Sequence, residues 1–232
     1  MPRHLWQGIG IAVLAALTAC APAPVEKPVR APVLPSRTVS GAVHYRVVQT
    51  GTLVYARVFR GGRLARLGHN HIVELRRVRG DIFLADDVGR SVFDLAVAPA
   101  DAVVDPPALR ATQGDEFQTT VSENARSATR RNMLGPDVLH ASRFPYVKIS
   151  STRIDGPLAS ARATVDLTLK GVTRRLTIPV SVHVEDGRLT AKGRFEILQS
   201  DFGIQPYSVL GGALKVKDRV TVVFDIAAEK VG

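Results

Sequence analysis

Hydrophobic and polar residues alternate with a period of two along most of the chain after residue 42. The clearest runs cover residues 161–169, 176–184 and 189–197, and a last one lies near 215–227. Shorter runs at 43–47, 53–59, 82–84 and 91–97 come earlier, and Gln49-Thr50-Gly51 is read as a turn between the first two. This alternation is typical of antiparallel strands with one buried and one wet face. The pattern predicts an all-β sandwich or closed barrel.

One polar stretch breaks this rhythm. Ser122 is suited to cap a helix that runs from Glu123 to Leu134 and stops at Gly135. A polar helix between two β halves is a candidate lid or portal, and a structural plug is the simpler alternative. We therefore expect one short helical insertion in the β domain.

The segment at residues 64–75 contains Gly68-His69-Asn70-His71. If it is a strand, His69 and His71 share a face with Val73 and Leu75. Two imidazoles then point into the space that the sheet encloses, either as the polar floor of a binding cavity or as a pair of metal ligands. A metal needs further ligands, for which the candidates are His44, Glu74, His140 and Asp201.

The N-terminus has the form of an export signal. Arg3 precedes an apolar run at residues 5–17, and Leu17-Thr18-Ala19-Cys20 resembles a bacterial lipobox. That resemblance implies a signal peptide over residues 1–19, lipidation of Cys20 and, because Ala21 follows, an outer-membrane lipoprotein that faces the periplasm. The Pro-rich residues up to 42 form an extended tether, and the folded domain covers 43–232.

Charge and motifs narrow the function classes. The formal net charge of +10 suits nucleic acid, an anionic membrane surface or acidic ligands. An exported protein meets little nucleic acid, so lipid head groups or other anions of the envelope are the better match, and a solvated basic face without a partner is the simpler alternative. Cys20 is the only cysteine, and no Gly-x-Ser-x-Gly elbow, phosphate loop or dinucleotide fingerprint occurs. We expect a protein that is not an enzyme and has no cofactor.

Three motif blocks in the second half resemble one known family. They are Met133-Leu134-Gly135 with Val138 to Ala141 and Arg143 to Ile149, then residues 165–174, then Gln199-Ser200-Asp201-Phe202-Gly203-Ile204. Together they resemble the YceI-like family of exported bacterial proteins, from about Gly41 to the C-terminus. The resemblance implies an extended, lipocalin-like antiparallel β-barrel whose cavity binds a polyisoprenoid or another long amphiphile. Small inward residues fit such a cavity because they leave room for a ligand: Ala161, Ala163, Ala191 and Gly193.

The expected ligand site combines an apolar interior with a polar spot for the head group. Its predicted residues are His69, His71, Val73, Arg130, Arg131, Phe195 and Phe202. His69 and His71, with Arg130 or Arg131, would engage the head of an isoprenoid, for which a quinone-like lipid is one candidate. A homodimer stays open. The alternative function is a metal-binding protein or metal-dependent enzyme organised on His69 and His71.

Overall fold

The computed structural model describes Pro32, Leu34 and residues 37–232. The predicted signal peptide, Cys20 and most of the tether lie outside the described residues. The described chain has eleven strands and two α-helices. The strands are β1 (Val43–Gly61), β2 (His71–Leu75), β3 (Arg79–Leu84), β4 (Val92–Val97), β5 (Val103–Val104), β6 (Val147–Asp155), β7 (Ala161–Leu169), β8 (Val172–Glu185), β9 (Arg188–Leu198), β10 (Ser208–Val209) and β11 (Leu214–Lys230). The helices are α1 (Pro107–Ala111) and α2 (Glu123–Leu134).

Eight strands close an antiparallel barrel in the order β1, β11, β9, β8, β7, β6, β4, β3 and back to β1. The long first strand pairs with β3 through its first residues and with β2 through its later ones. β5 adds to β2, and β10 adds to the start of β11. This arrangement confirms the predicted all-β barrel, which has no free edge along its closed part.

The alternating segments form the barrel wall as the pattern predicts. In β7, every second residue from Ala161 to Leu169 is buried, and the residues between them are more exposed. Ala163 and Val165 join inward side chains of β8, β9 and β11 in the main core cluster, and Leu167 and Leu169 belong to a second cluster. Burial of this apolar face is the main stabilising contribution to the barrel.

The helical insertion is also confirmed. α2 spans Glu123–Leu134, and the Ser122 hydroxyl accepts a hydrogen bond from the amide of Ala125 (3.3 Å). The shorter α1 was not predicted; it begins at Pro107, where the fixed φ of proline suits a first helical position. In the part of the chain that the structure describes, no helix has the length and apolarity to cross a membrane.

The predicted turn at Gln49-Thr50-Gly51 is wrong, because β1 continues through it with an irregularity in its pairing with β11. Gly51 adopts a positive φ of 83°, which suits the extra residues of a bulge. The Thr52 hydroxyl donates to the carbonyl of Val48 (2.6 Å) and accepts from the amide of Ala227 (3.0 Å). These side-chain bonds replace the strand bonds that the bulge interrupts, so the strand bends without ending.

The residues just ahead of β1 are already attached to the barrel. Arg37 forms an ion pair with the buried carboxylate of Asp94 (2.7 Å). It also donates to the carbonyls of Phe93 and Ser151, both at 2.7 Å. The structured contacts of the domain therefore begin before its first strand.

Candidate functional site

The barrel encloses an apolar cavity of about 430 Å³. Ligand pockets in proteins span roughly 300–1,000 Å³, so this cavity can hold a sizeable ligand. Its wall consists mainly of the inward aliphatic and aromatic side chains of β1, β2, β4, β6 to β9 and β11. Among the wall residues are Val54, Val73, Leu95, Ile149, Ala163, Leu167, Ile178, Val180, Ala191, Phe195, Val222 and Phe224.

Two of the four small residues that were expected to leave room do so: Ala163 and Ala191 line the cavity. Gly193 has a different role. A Cβ atom there would lie 2.4 Å from the carbonyl oxygen of Pro179 and 2.5 Å from the ring of Phe224. Gly193 therefore admits the Phe224 ring into the wall and opens no space for a ligand.

Charged and imidazole side chains also line the cavity. They are Arg60 in β1 and His69 and His71 around the start of β2. Lys215 of β11 borders the same end, but its side chain is exposed and alternates with the inward Val216. Thr129 and Asn132 of α2 add polar groups, and none of the lining residues is an aspartate or glutamate. We call Arg60, His69 and His71 the basic end of the cavity.

Strand pairing explains how the basic end forms. The inward face of β1 reads Val54, Ala56, Val58 and Arg60, so the alternation that builds the wall ends on an arginine. His71 pairs opposite Val58 and faces the same interior. Arg60 and the neighbouring Gly61 pair with the start of β11, and Gly61 lies opposite Lys215.

His69 reaches the cavity by a different route from the predicted one. The strand begins only at His71, and the residues just before it are irregular. The buried side chain of Asn70 holds this irregular segment: its Oδ1 accepts from the amide of Arg60 (3.0 Å) and its Nδ2 donates to the carbonyl of Glu116 (2.9 Å). Those bonds replace strand pairing and still place His69 on the cavity.

His71 is held by a buried carboxylate behind it. Its Nδ1 lies 2.6 Å from Oδ2 of Asp105, whose side chain is fully buried. The other oxygen, Oδ1, accepts from the amide of Ile72 (2.9 Å) and from Nη1 of Arg110 (2.6 Å). Because Nδ1 is engaged with Asp105, the Nε2 atom of His71 is left for the cavity.

Arg110 completes this buried network. It donates through Nη1 to the carbonyl of Asn70 (2.7 Å) and through Nη2 to that of Thr119 (3.0 Å). Its guanidinium also lies 5.7 Å from the centre of the Phe117 ring. The charge of Asp105 is thus paired and hydrogen-bonded, as a buried charge requires.

The network sets the protonation of the Asp105 carboxylate. Burial acts to raise the pKa of Asp105, but the hydrogen bonds from His71 and the Ile72 amide, with the nearby positive charges, lower it to below its usual value. Asp105 is therefore ionised at neutral pH.

The pKa of His69 is lowered as well, which for an imidazole favours the neutral form. Burial lowers the pKa of its imidazole below the ordinary value of 6.5. Positive charge on His71, Arg110 and Arg60 lowers it further, and Asp105 acts against them. The centroids of the His69 and His71 rings lie 6.3 Å apart, so one polar group of a ligand can meet both.

A family model for the YceI-like domain matches residues 75–228, well over half of the chain. The chain belongs to the YceI-like family. Its match begins after the His69 and His71 pair and includes Asp105 and Arg110. No match was found among curated protein sequences.

Solved structures share the YceI-like fold at low sequence identity. BcnA of Burkholderia cenocepacia is 15% identical with a TM-score of 0.59, over 78% of this chain and 98% of BcnA. A polyisoprenoid binding domain from Saccharophagus degradans, implicated in plant cell wall breakdown, is 10% identical with a TM-score of 0.53, over 82% of this chain and 99% of that domain. The Campylobacter jejuni YceI protein is 11% identical with a TM-score of 0.50, over 69% and 85%. At these identities the similarity establishes the fold.

Four of the predicted ligand residues of this YceI-like protein line its cavity: His69, His71, Val73 and Phe195. The other three lie elsewhere. Phe202 is buried in a second core cluster with Leu167, Leu169 and Ile204 and does not line the cavity. Arg130 donates to the carbonyl of Ala100 (2.5 Å), and Arg131 is exposed.

The orientation of α2 explains the position of the two arginines. The helix presents Thr129, Asn132 and Met133 to the cavity, which are spaced three and four residues apart on one face. Arg130 and Arg131 fall on the neighbouring faces. The helix therefore contributes to the cavity lining, as expected of a lid, portal or plug, but through uncharged residues.

The metal alternative lacks a third ligand. Among the described residues, no group of three or more His, Cys, Asp and Glu side chains could hold a metal ion. His44, one of the candidates, instead contacts Asp81 (2.6 Å) and stacks on Phe83. His69 and His71 are thus a pair of imidazoles on an apolar cavity.

The sequence pattern does not identify Asp105 and Arg110 as residues of the site. Asp105 directly precedes Pro106-Pro107, and Arg110 follows in a five-residue helix, so neither belongs to an alternating segment. One signal was available: Asp105 follows a short apolar β run at the point where the chain turns. An acidic residue at such a position is common, so this signal alone does not identify a partner for a histidine.

Proposed function

We propose that this YceI-like protein binds a polyisoprenoid or another long amphiphilic lipid in its barrel, without catalysing a reaction. The observation that carries the proposal is the enclosed apolar cavity, whose charged and imidazole groups are confined to the basic end. The tail lies along the apolar wall, and the head group meets His69 and His71. The Saccharophagus degradans domain with the same fold is a polyisoprenoid binding domain, which supports this class of ligand.

The apolar wall supplies the affinity. Each methylene group that leaves water contributes about 0.8 kcal/mol, so a few isoprene units suffice to offset the cost of ordering a flexible tail. An interior built from alternating strands with a rigid hydrogen-bonded backbone is already formed before the ligand enters. The cavity is therefore pre-organised for a hydrocarbon chain.

The basic end supplies the orientation. Asp105 fixes the ring of His71, and Asn70 fixes the segment that carries His69. Imidazoles held in this way can donate or accept one hydrogen bond each to a head group. A lipid that enters with its head at the opposite end would bury a polar group without a partner, which is costly.

We also propose that the protein acts in the cell envelope as an outer-membrane lipoprotein facing the periplasm. The support is the lipobox-like Leu17-Thr18-Ala19-Cys20 after an apolar run and the Pro-rich stretch that follows it. Mass spectrometry of the mature N-terminus tests this directly. We expect a lipidated Cys20 in the wild-type protein and none in Cys20→Ser, and an unprocessed N-terminus would contradict it.

Lipid extraction of the protein from its own envelope tests the binding function. Native mass spectrometry of gently purified protein should show a fraction with an added mass, and organic extraction should release the same species. A protein that refolds after delipidation and regains that mass from added lipid would confirm that the site is reversible. Purified protein with no apolar ligand, and no uptake of polyprenol, would overturn the proposal.

A further inference from the structure

We infer that the basic end of the cavity selects a lipid with an anionic head group, such as an isoprenoid phosphate, over the same lipid with a neutral head. This inference rests on the proposed lipid binding and specifies the ligand class of that same site. The geometry that points to it is the meeting of Arg60 and two imidazoles on a cavity whose lining contains no carboxylate.

The permanent charge of Arg60 is available to a ligand. Arg60 uses Nη1 to donate to the carbonyl of Gly68, which leaves the other N–H groups of its guanidinium. Among the described residues, Arg60 forms no ion pair. A cation that lines an apolar cavity without a counter-ion favours the entry of an anion.

The one carboxylate near the basic end does not oppose an anion. Asp105 lies behind His71 with both of its oxygens engaged, one by His71 and the other by Arg110 and the Ile72 amide. Its charge is balanced by the Arg110 guanidinium. Because its Nδ1 is engaged with Asp105, His71 presents Nε2 to the head group.

A lipid with a neutral head group gains much less affinity from this arrangement. A hydroxyl or a quinone carbonyl can form one or two hydrogen bonds with the imidazoles, but it draws no benefit from the charge of Arg60. A charge-assisted hydrogen bond exceeds a neutral one by an amount that corresponds to about tenfold in affinity. We expect at least that preference for the phosphate.

His69 provides a second way to detect anion binding, through its dependence on pH. The charged and titratable groups around it are His71, Arg110, Arg60 and Asp105, and it is neutral without a ligand because burial and the nearby cations lower its pKa. A bound anion offsets those cations and favours a proton on His69. Affinity for an anionic lipid should therefore increase as the pH falls below about 6.5, the ordinary value for histidine.

The decisive experiment compares a polyprenol with the polyprenyl phosphate of the same chain length, both titrated into the full protein by native mass spectrometry. We expect the phosphate to bind at least about tenfold more tightly. In Arg60→Gln the preference should decrease, and in Arg194→Gln, which removes an exposed arginine from the outer face of β9, it should remain. A long-chain fatty acid tests whether any acidic head suffices: tight binding that Arg60→Gln weakens supports an anion site in general.

The outcomes separate the two claims. Equal affinity for alcohol and phosphate would overturn the selection of an anion and leave lipid binding intact, whereas no uptake of either lipid would overturn both. The pH series is run on the wild type and His69→Gln together, because the phosphate itself titrates in the same range. A wild-type affinity that rises more, or falls less, than that of His69→Gln as the pH decreases supports the inference, and parallel curves would contradict the role of His69.

Discussion

The apolar wall and the basic end of the cavity are stabilised in different ways. The wall is made of many aliphatic and aromatic side chains on regular strands, each contributing a similar burial energy. The basic end depends on a few connected groups, in which His71, Asp105 and Arg110 each rely on the others. A wall residue can be replaced by another of similar volume at small cost, whereas a network that loses one member leaves a buried charge unpaired. The wall therefore suits a variable tail, and the basic end suits a defined head group.

The largest effect should come from breaking the network with Asp105→Ala. The change leaves Arg110 buried without its carboxylate and frees the His71 ring, and we expect the free energy of unfolding to fall by about 3–5 kcal/mol. Urea unfolding measures the loss. Asp81→Ala is the matched control, since Asp81 also contacts a histidine, His44, at 2.6 Å but is partly exposed. There we expect about 1 kcal/mol or less, and equal losses in the two variants would contradict the distinction.

A smaller effect is expected from crowding the wall with Gly193→Ala. The new methyl group would collide with the carbonyl of Pro179 and the ring of Phe224, so the barrel must shift, at a cost of about 1–3 kcal/mol. Gly89→Ala, at an exposed site where the nearest atom to an added Cβ lies at 3.3 Å, should change stability by no more than about 0.5 kcal/mol. A thermal unfolding comparison of the two variants measures the difference. A tolerated Gly193→Ala would show that the wall is looser than the structure indicates.

The stability of the basic end should also depend on pH. Asp105 has a lower pKa in the folded protein than in the unfolded chain, so its stabilising contribution is present above the unfolded value of about 3.9 and is lost as the pH falls through the folded value. Urea unfolding of the wild type should thus show decreasing stability from about pH 5 downwards. Asp105→Asn should give a shallower decrease, because the contribution of Asp105 is missing. The remaining decrease comes from Glu123, Asp166 and Asp218, whose pKa values are also lowered and which are common to both proteins. Curves of the same shape would argue against an ionised, network-held Asp105.

The smallest effect is expected outside both regions. Arg131 is exposed on α2 and does not line the cavity, so Arg131→Ala should change stability by no more than about 0.5 kcal/mol. Its affinity for polyprenol and polyprenyl phosphate should equal that of the wild type. A clear loss of phosphate binding would mean that α2 moves to bring this arginine to the head group.

The same contrast explains which parts the sequence could predict. The inward faces of β7, β8, β9 and β11 follow from a local rule, the period of two, and the Ser122 cap marked the start of α2 equally well. The contact between His71 and Asp105 joins residues 34 positions apart, and no local pattern specifies it. The orientation of α2 could not be predicted either, because a polar helix has no apolar stripe to show that Thr129 and Met133 border the cavity and Arg131 does not.

The most direct test of a lipid cavity is to fill it. Ala191→Phe places a ring in the space that Ala191 borders, and Arg194→Phe places the same ring on the outer face of the same strand. The measurement is the dissociation constant for polyprenols of increasing length, with thermal unfolding to verify that both variants fold. We predict that affinity rises with chain length in the wild type and in Arg194→Phe, and that Ala191→Phe weakens the longer polyprenols by about tenfold or more, which corresponds to the loss of two or more buried methylene groups. Equal affinities in all three proteins would contradict a tail inside the barrel.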